Sequence, residues 1–226
     1  MIISLHMPKT AGNSFLNALN KKYGPHLKQD YGDMARIQEY LAGQIPAESV
    51  YGDSAAEKNE LDKVNCIHGH FLAQKYNHLL REKRARLVTW LRDPVERLIS
   101  HYNFFILSYD PLTAGPLFKK VIEESWTLEK FCFSEEFKNL YSKYLQGFPR
   151  EYIEFIGITE YYSDDLRWFS RMYLNKDVPV SKINCAPKSM EASGSIDPGF
   201  RRAVESFHIK DAELYKYALE KRNLRG

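Results

Sequence analysis

The chain has 226 residues, a length that fits one large domain and allows a substantial buried core. With 44% hydrophobic and 27% charged residues it has the composition of a globular protein, and a net charge of +3 is too small to indicate a nucleic-acid partner. No apolar run reaches the roughly 18 residues of a membrane span, and the N-terminus lacks the pattern of a signal peptide. We therefore expect one cytoplasmic domain over residues 1–226, and the sequence does not indicate an oligomeric state.

The three cysteines, Cys66, Cys132 and Cys185, are far apart, odd in number and without the spacing of metal ligands. A chain of this kind is typical of a reducing compartment. We expect neither a disulfide framework nor a bound metal.

Apolar runs alternate with helical patterns along the first half of the chain. In the helix that follows residue 93, Pro94 occupies the first turn, where its missing N–H has no partner in any case. The predicted elements are a strand over 2–7, helices over 13–22 and within 32–43, an irregular excursion over 43–64, a strand within 64–71, a helix near 73–83 and a strand over 86–91.

The second half continues the alternation. We predict helical pieces within 117–147, a strand over 152–159, a helix that Ser163 caps, a loop over 181–199 and a C-terminal helix. Strands that alternate with helices favour an α/β fold with a mostly parallel sheet.

The loop between the first strand and the first helix reads MPKTAGNSF, residues 7–15. Such a loop exposes unpaired backbone N–H groups at the positive end of a helix dipole, where phosphate or sulfate binds. Lys9 adds a full charge, and Ala11 and Gly12 are small enough for an anion to approach the backbone. Further donors come from the polar side chains, Thr10, Asn13 and Ser14. An ordinary turn, in which Asn13 or Ser14 only caps the helix, fits the same residues.

The nucleotide-binding P-loop, G-x-x-x-x-G-K-[ST], is a natural comparison, but here the lysine precedes the small residues and no glycine opens the loop. Asp93 ends an apolar run as a magnesium-binding aspartate would, yet it stands before a proline that opens a helix. It is better explained as the N-cap of that helix. An ATP- or GTP-dependent enzyme is therefore the second choice.

The order of residues in HMPKTAGNSF resembles the 5′-phosphosulfate loop of the sulfotransferases, and most of all the carbohydrate branch with the heparan sulfate 2-O- and 6-O-type enzymes, whose loop reads much like HxPKTGGTS. Ala11 stands for a glycine and Asn13 for a threonine. The resemblance implies a P-loop-like three-layer fold and 3′-phosphoadenosine 5′-phosphosulfate as the sulfuryl donor, with adenosine 3′,5′-bisphosphate as the product. It also implies that the loop binds this nucleotide through Lys9, Thr10, Ala11, Gly12, Asn13, Ser14 and Phe15.

A second segment, VTWLRDPVERLISHY, resembles the family's R-[DN]-P strand end with a serine eight residues after the arginine. The resemblance assigns Arg92 and Ser100 to the 3′-phosphate of the donor, and the planar fork of an arginine suits a phosphate. A structural ion pair for Arg92 and a solvent-facing Ser100 are the alternatives. We interpret Arg97 as a surface or packing residue.

A third segment, CIHGHF, places His68 and His70 on one face of an extended backbone. Two histidines could be part of a metal site, but no third ligand has a telling spacing. The resemblance to the glycan branch, which carries HGH here, implies that His70 is the catalytic base. His68 would then orient it, or be the base itself. Imidazole titrates near neutral pH, so it can accept a hydroxyl proton.

Weaker similarities occur at 139–147 and around Glu160, and Arg201 and Arg202 could reach the nucleotide. Together these features predict in-line transfer of a sulfuryl group to a hydroxyl of a carbohydrate or small metabolite, with Lys9 stabilising the leaving oxygen. An ATP-dependent small-molecule kinase and a non-catalytic nucleotide-binding protein are the alternative functions.

Overall fold

A computed structural model describes residues 1–51, 61, 63–175 and 196–225. Its centre is a sheet of five strands in the order β2–β3–β1–β4–β5, and every neighbouring pair is parallel. The strands are β1 Ile2–Leu5, β2 Leu27–Asp30, β3 Cys66–Gly69, β4 Arg86–Leu91 and β5 Ile153–Ile158. The helices are α1 Gly12–Tyr23, α2 Met34–Leu41, α3 Asn77–Arg81, α4 Pro94–Ser108, α5 Pro116–Glu123, α6 Leu128–Cys132, α7 Leu140–Tyr144, α8 Tyr162–Phe169, α9 Pro198–Phe207 and α10 Ile209–Asn223.

Helices cover both faces of the sheet, as a parallel sheet requires. Every residue of β1 is buried, and its side chains alternate between two apolar clusters. Ile3 and Leu5 belong to a cluster with residues of α2, α7 and α10, whereas Ile2 packs with residues of α1 and α8. The α/β class with a parallel sheet between helical layers is thus confirmed.

The strands predicted in the first and second halves coincide with β1, β3, β4 and β5. The sequence did not indicate β2, because Leu27–Asp30 reads LKQD and lies at the edge of the sheet, where no alternation of apolar residues is required. The prediction that Ser163 caps a helix is wrong, since α8 begins at Tyr162 and Tyr161 is its N-cap. The helix predicted near 73–83 is a 3₁₀ turn, Ala73–Tyr76, followed by α3.

Parts of the predicted excursion over 43–64 and of the loop over 181–199 lie outside the described residues, as does Cys185. Cys66 and Cys132 are buried free thiols. In the described part of the chain, none of the helices has the length and apolar character needed to cross a membrane.

The carboxyl ends of the five parallel strands lie along one edge of the sheet, which is where open α/β sheets bind their ligands. The residues that directly follow the strands along this edge are, in sheet order, Tyr31, His70, His6, Arg92 and Thr159. Three separate sequence motifs therefore meet at the centre of one edge, around the end of β1.

Candidate active site

The loop after β1 has the backbone geometry of an anion site. Lys9 and Ala11, with φ of 67° and 64°, are both left-handed, a conformation that costs a residue other than glycine on the order of 1 kcal/mol. The first hydrogen bond of α1 runs from the Phe15 N–H to the Ala11 carbonyl at 3.1 Å. The preceding N–H groups of Gly12 and Asn13 have no acceptor among the described residues, and they lie at the positive end of the helix.

Gly12 is required by a close approach to His6. A Cβ at Gly12 would lie 1.9 Å from Cδ2 and Nε2 of the His6 ring, well inside van der Waals contact. Only a glycine lets the start of α1 lie directly against this imidazole. The first helical turn is thereby fixed relative to the end of β1.

Two loop residues that we expected to contact the nucleotide, Thr10 and Phe15, instead make contacts within the protein. The Thr10 hydroxyl is buried and donates to the Met7 carbonyl at 2.8 Å, so it holds the loop rather than an anion. Phe15 is a core residue that packs on Trp90 and Phe169. The donors that remain for an anion are chiefly main-chain N–H groups and Lys9.

Two cations face this loop without carboxylate partners. Lys9 is half-buried, and its Nζ lies 4.5 Å from the centroid of the Phe104 ring. Burial lowers the pKa of Lys9, and the nearby Arg92 guanidinium lowers it further. Neither Lys9 nor Arg92 forms an ion pair within the described ranges, and two such neighbouring cations favour an anionic ligand.

The turn between β4 and α4 is held firmly. Asp93 caps α4, because its Oδ1 accepts from the N–H groups of Val95 and Glu96, each at 3.0 Å. Arg201 donates to both oxygens of Asp93, and the Asp93 N–H donates to Glu160 at 2.9 Å. The expectation that Asp93 is an N-cap is confirmed. In this structure Glu160 and Arg201 brace the turn.

The face of α4 carries the other residues of the second motif. Ser100 is half-buried on the second turn, about 9 Å along the helix axis from its start. Arg97 has no exposed surface and its guanidinium lies 5.4 Å from the Tyr141 ring, so of the two roles expected for it, packing is the one observed. Its three side-chain nitrogens have no hydrogen-bond partner within the described residues.

His68 and His70 differ sharply in their surroundings. His68 is 1% exposed, and its Nδ1 pairs with the Ser4 hydroxyl at 2.8 Å. Burial lowers the pKa of His68 to about 3, against a smaller opposite effect of the Gly12 carbonyl. An acceptor molecule cannot reach this ring.

His70 is partly open to solvent, and its Nδ1 lies 2.6 Å from the His6 carbonyl oxygen. A carbonyl only accepts, so the proton is on Nδ1 and the lone pair is on Nε2. Burial lowers the pKa of His70 to about 4, although the bond to the carbonyl raises it in part. His70 is thus a neutral imidazole with a fixed tautomer.

His6 and Tyr31 complete the site and were not among the predicted residues. The His6 ring forms stacked contacts with His70, at a centroid distance of 4.1 Å, and with His68, at 5.2 Å. The Tyr31 hydroxyl lies 3.1 Å from His6 Nδ1. Both residues directly follow a strand, His6 after β1 and Tyr31 after β2, and this position in the sequence could have indicated them. The described residues contain no group of three or more acidic, histidine or cysteine side chains arranged to hold a metal.

The parallel sheet between helical layers defines an α/β protein, and at the carboxyl edge of this sheet the loop after β1 lies beside two cations that have no carboxylate partner among the described residues. The chain belongs to the sulfotransferase family, since the model for the sulfotransferase family matches residues 1–208. No curated protein matches the chain significantly. Membership supports sulfuryl transfer as the general activity.

Proposed function

We propose that the protein transfers a sulfuryl group from 3′-phosphoadenosine 5′-phosphosulfate to an acceptor hydroxyl. The single observation that carries this proposal is the pairing of Lys9 with Arg92, two adjacent cations without carboxylate partners in the described structure, beside the free N–H groups of Gly12 and Asn13. A nucleotide with anionic groups at both its 5′ and 3′ positions offers one such group to each of these two cations. A nucleoside triphosphate carries its charge at one end only.

The loop would hold the 5′-phosphosulfate through the N–H groups at the start of α1. The left-handed residues Lys9 and Ala11 support this role, because strained backbone of this kind clusters where a ligand is gripped. Arg92 and Ser100 would hold the 3′-phosphate. This role is supported by the Arg92 side chain at the end of β4, which has no ion-pair partner among the described residues. It is also supported by the half-buried Ser100 on the helix that begins two residues after Arg92.

The donor supplies the sulfuryl group and leaves with negative charge on its bridging oxygen. Lys9 would neutralise that charge, an interaction that strengthens in the transition state. Nε2 of His70 takes the proton of the acceptor hydroxyl as its oxygen bonds to sulfur. The tautomer of His70 and the inaccessibility of His68 favour His70 as the base.

The acceptor we propose is a carbohydrate or a small hydroxylated metabolite, on the basis of the resemblance of the loop and of HGH to the carbohydrate branch. Phe104 lies against Lys9 and Tyr31 lies against His70, and these rings would contact such an acceptor. The protein cations supply the charge that a metal supplies in phosphoryl transfer.

Isothermal titration calorimetry with adenosine 3′,5′-bisphosphate in EDTA, and with ATP and Mg²⁺, tests the proposal. We expect the bisphosphate to bind without metal and more tightly than ATP. Arg92→Ala should weaken it roughly 10- to 100-fold, the size of a charge-assisted hydrogen bond, whereas Ala at the exposed Arg81 of α3 should not. Tighter binding of magnesium–ATP, or unchanged affinity in Arg92→Ala, would contradict the proposal.

A further inference from the structure

The backbone of Arg92 is held by one buried side chain. Tyr141, on α7, has no exposed surface. Its hydroxyl donates to the Arg92 carbonyl at 2.8 Å and accepts from the Arg92 N–H at 3.1 Å. Both peptide groups of one residue therefore meet on a single oxygen, 49 residues away in the chain.

No other hydrogen bond to the Arg92 backbone occurs in the described part of the molecule. The bracing contacts of the same turn, from Glu160 and Arg201, end on Asp93. Arg92 lies between the last residue of β4 and this braced residue. Its orientation consequently depends on the Tyr141 hydroxyl.

Two buried side chains, Asp211 and Arg97, contact Tyr141. Asp211 of α10 is fully buried, and its two oxygens accept from the N–H groups of Tyr141 and Ser142, each at 3.1 Å. It thereby caps the first turn of α7 from another helix. The Arg97 guanidinium lies over the Tyr141 ring at 5.4 Å. Asp211 therefore holds the backbone of Tyr141, and Arg97 lies against its ring.

We infer that Tyr141 is a positioning residue that aims the Arg92 side chain at the second anionic group of the ligand and so determines discrimination between a 3′,5′-bisphosphate and a 5′-monophosphate. The inference rests on the proposed function of Arg92. The hydroxyl is the part that matters, because a phenylalanine keeps the ring packing and releases both peptide groups of Arg92. Those groups then rotate toward water, and the guanidinium moves with them.

The test is a comparison of two ligands, adenosine 3′,5′-bisphosphate and adenosine 5′-monophosphate, by titration calorimetry. For Tyr141→Phe we expect the ratio of the two affinities to fall roughly 5- to 30-fold, with nearly all of the loss in the bisphosphate. Tyr144→Phe is the matched control. Tyr144 is a buried tyrosine of the same helix whose hydroxyl has no hydrogen bond to a described residue, and its ratio should not change.

A double-mutant cycle with Arg92→Ala separates positioning from general stability. In the Arg92→Ala background, Tyr141→Phe should leave the ratio unchanged, since there is no guanidinium left to aim. Turnover of Tyr141→Phe should show a raised KM for the donor with a nearly unchanged kcat. Asp211→Asn, which keeps only one acceptor oxygen for the two N–H groups, should lower the ratio in the same direction and by less.

Three results would overturn the inference. Tyr141→Phe could weaken the binding of both ligands equally, or its ratio of affinities could equal that of Tyr144→Phe. In the double-mutant cycle, the effects of Tyr141→Phe and Arg92→Ala could be independent. Failure of the unmodified protein to bind the bisphosphate is a different result. It would overturn the proposed function instead, so the two failures are distinguishable.

Discussion

Replacing Gly12 by alanine should disable the anion loop. The added Cβ would lie 1.9 Å from the His6 ring, whereas ordinary contacts begin at 3.4 Å, so a displacement of about 1.5 Å is needed. The ring has little room to move, because it is in stacked contact with His70 at 4.1 Å and His68 at 5.2 Å, and its Nδ1 lies 3.1 Å from the Tyr31 hydroxyl. The start of α1 must move instead, together with the N–H groups of Gly12 and Asn13.

Overpacking of this kind costs about 1–3 kcal/mol, which corresponds to roughly a 5- to 150-fold loss of affinity if the binding conformation bears the whole cost. Calorimetric titration with adenosine 3′,5′-bisphosphate measures it. Gly32→Ala is the control, because a Cβ there meets nothing within 4 Å. Adding His6→Ala to Gly12→Ala should recover part of the lost affinity. If Gly12→Ala binds like Gly32→Ala, the close approach of the helix and the imidazole does not matter for binding.

Three further predictions concern catalysis and pH. Lys9→Ala should lower kcat roughly 10²- to 10³-fold in a steady-state assay, while Ala at the exposed Lys21 of α1 should not. His70→Ala should lower kcat roughly 10²- to 10⁴-fold, and because burial lowers the pKa of His70 to about 4, kcat/KM of the unmodified enzyme should stay level from pH 8 to about 5 and fall near pH 4. Burial also lowers the pKa of His68 to about 3 and that of His208 to about 4. In denaturant titrations the free energy of unfolding should therefore be highest above pH 6.5. It should fall on acidification by up to about 1.4 kcal/mol per pH unit for each histidine that is buried in the neutral form.

Acid destabilises the folded protein because its buried histidines bind protons only at low pH. The unfolded chain takes up protons on these histidines below about pH 6.5, and the folded chain does so only at lower pH, so acid favours the unfolded state. Stability that is flat from pH 7 to pH 5 would contradict the buried neutral state. Full activity of both Lys9→Ala and His70→Ala would remove the two residues from the reaction.

The sequence was sufficient to predict that residues of three short motifs lie at one edge of the sheet. The anion loop, Arg92 and His70 each follow directly after a strand, and a parallel sheet brings such positions to one edge whatever the strand order is. The α/β class followed from the same alternation of strands and helices.

The supporting contacts could not be predicted, because they join distant parts of the chain. The Tyr141 hydroxyl meets Arg92 across 49 residues, and the His70 imidazole meets the His6 carbonyl across 64. The difference in exposure between His68 and His70 also needed the fold, since alternation along β3 puts both on one face but does not reveal which is covered. The hydroxyl of Thr10 looked like a ligand donor and instead bonds to Met7 within the loop.

A crystal structure of the complex with adenosine 3′,5′-bisphosphate would show whether the loop after β1 and Arg92 bind the two phosphates of one nucleotide. We expect the 5′-phosphate at the N–H groups of Gly12 and Asn13, and the 3′-phosphate within hydrogen-bond distance of the Arg92 guanidinium and the Ser100 hydroxyl. A nucleotide bound elsewhere, or one whose 3′-phosphate points into solvent while Arg92 stays unpaired, would contradict this expectation.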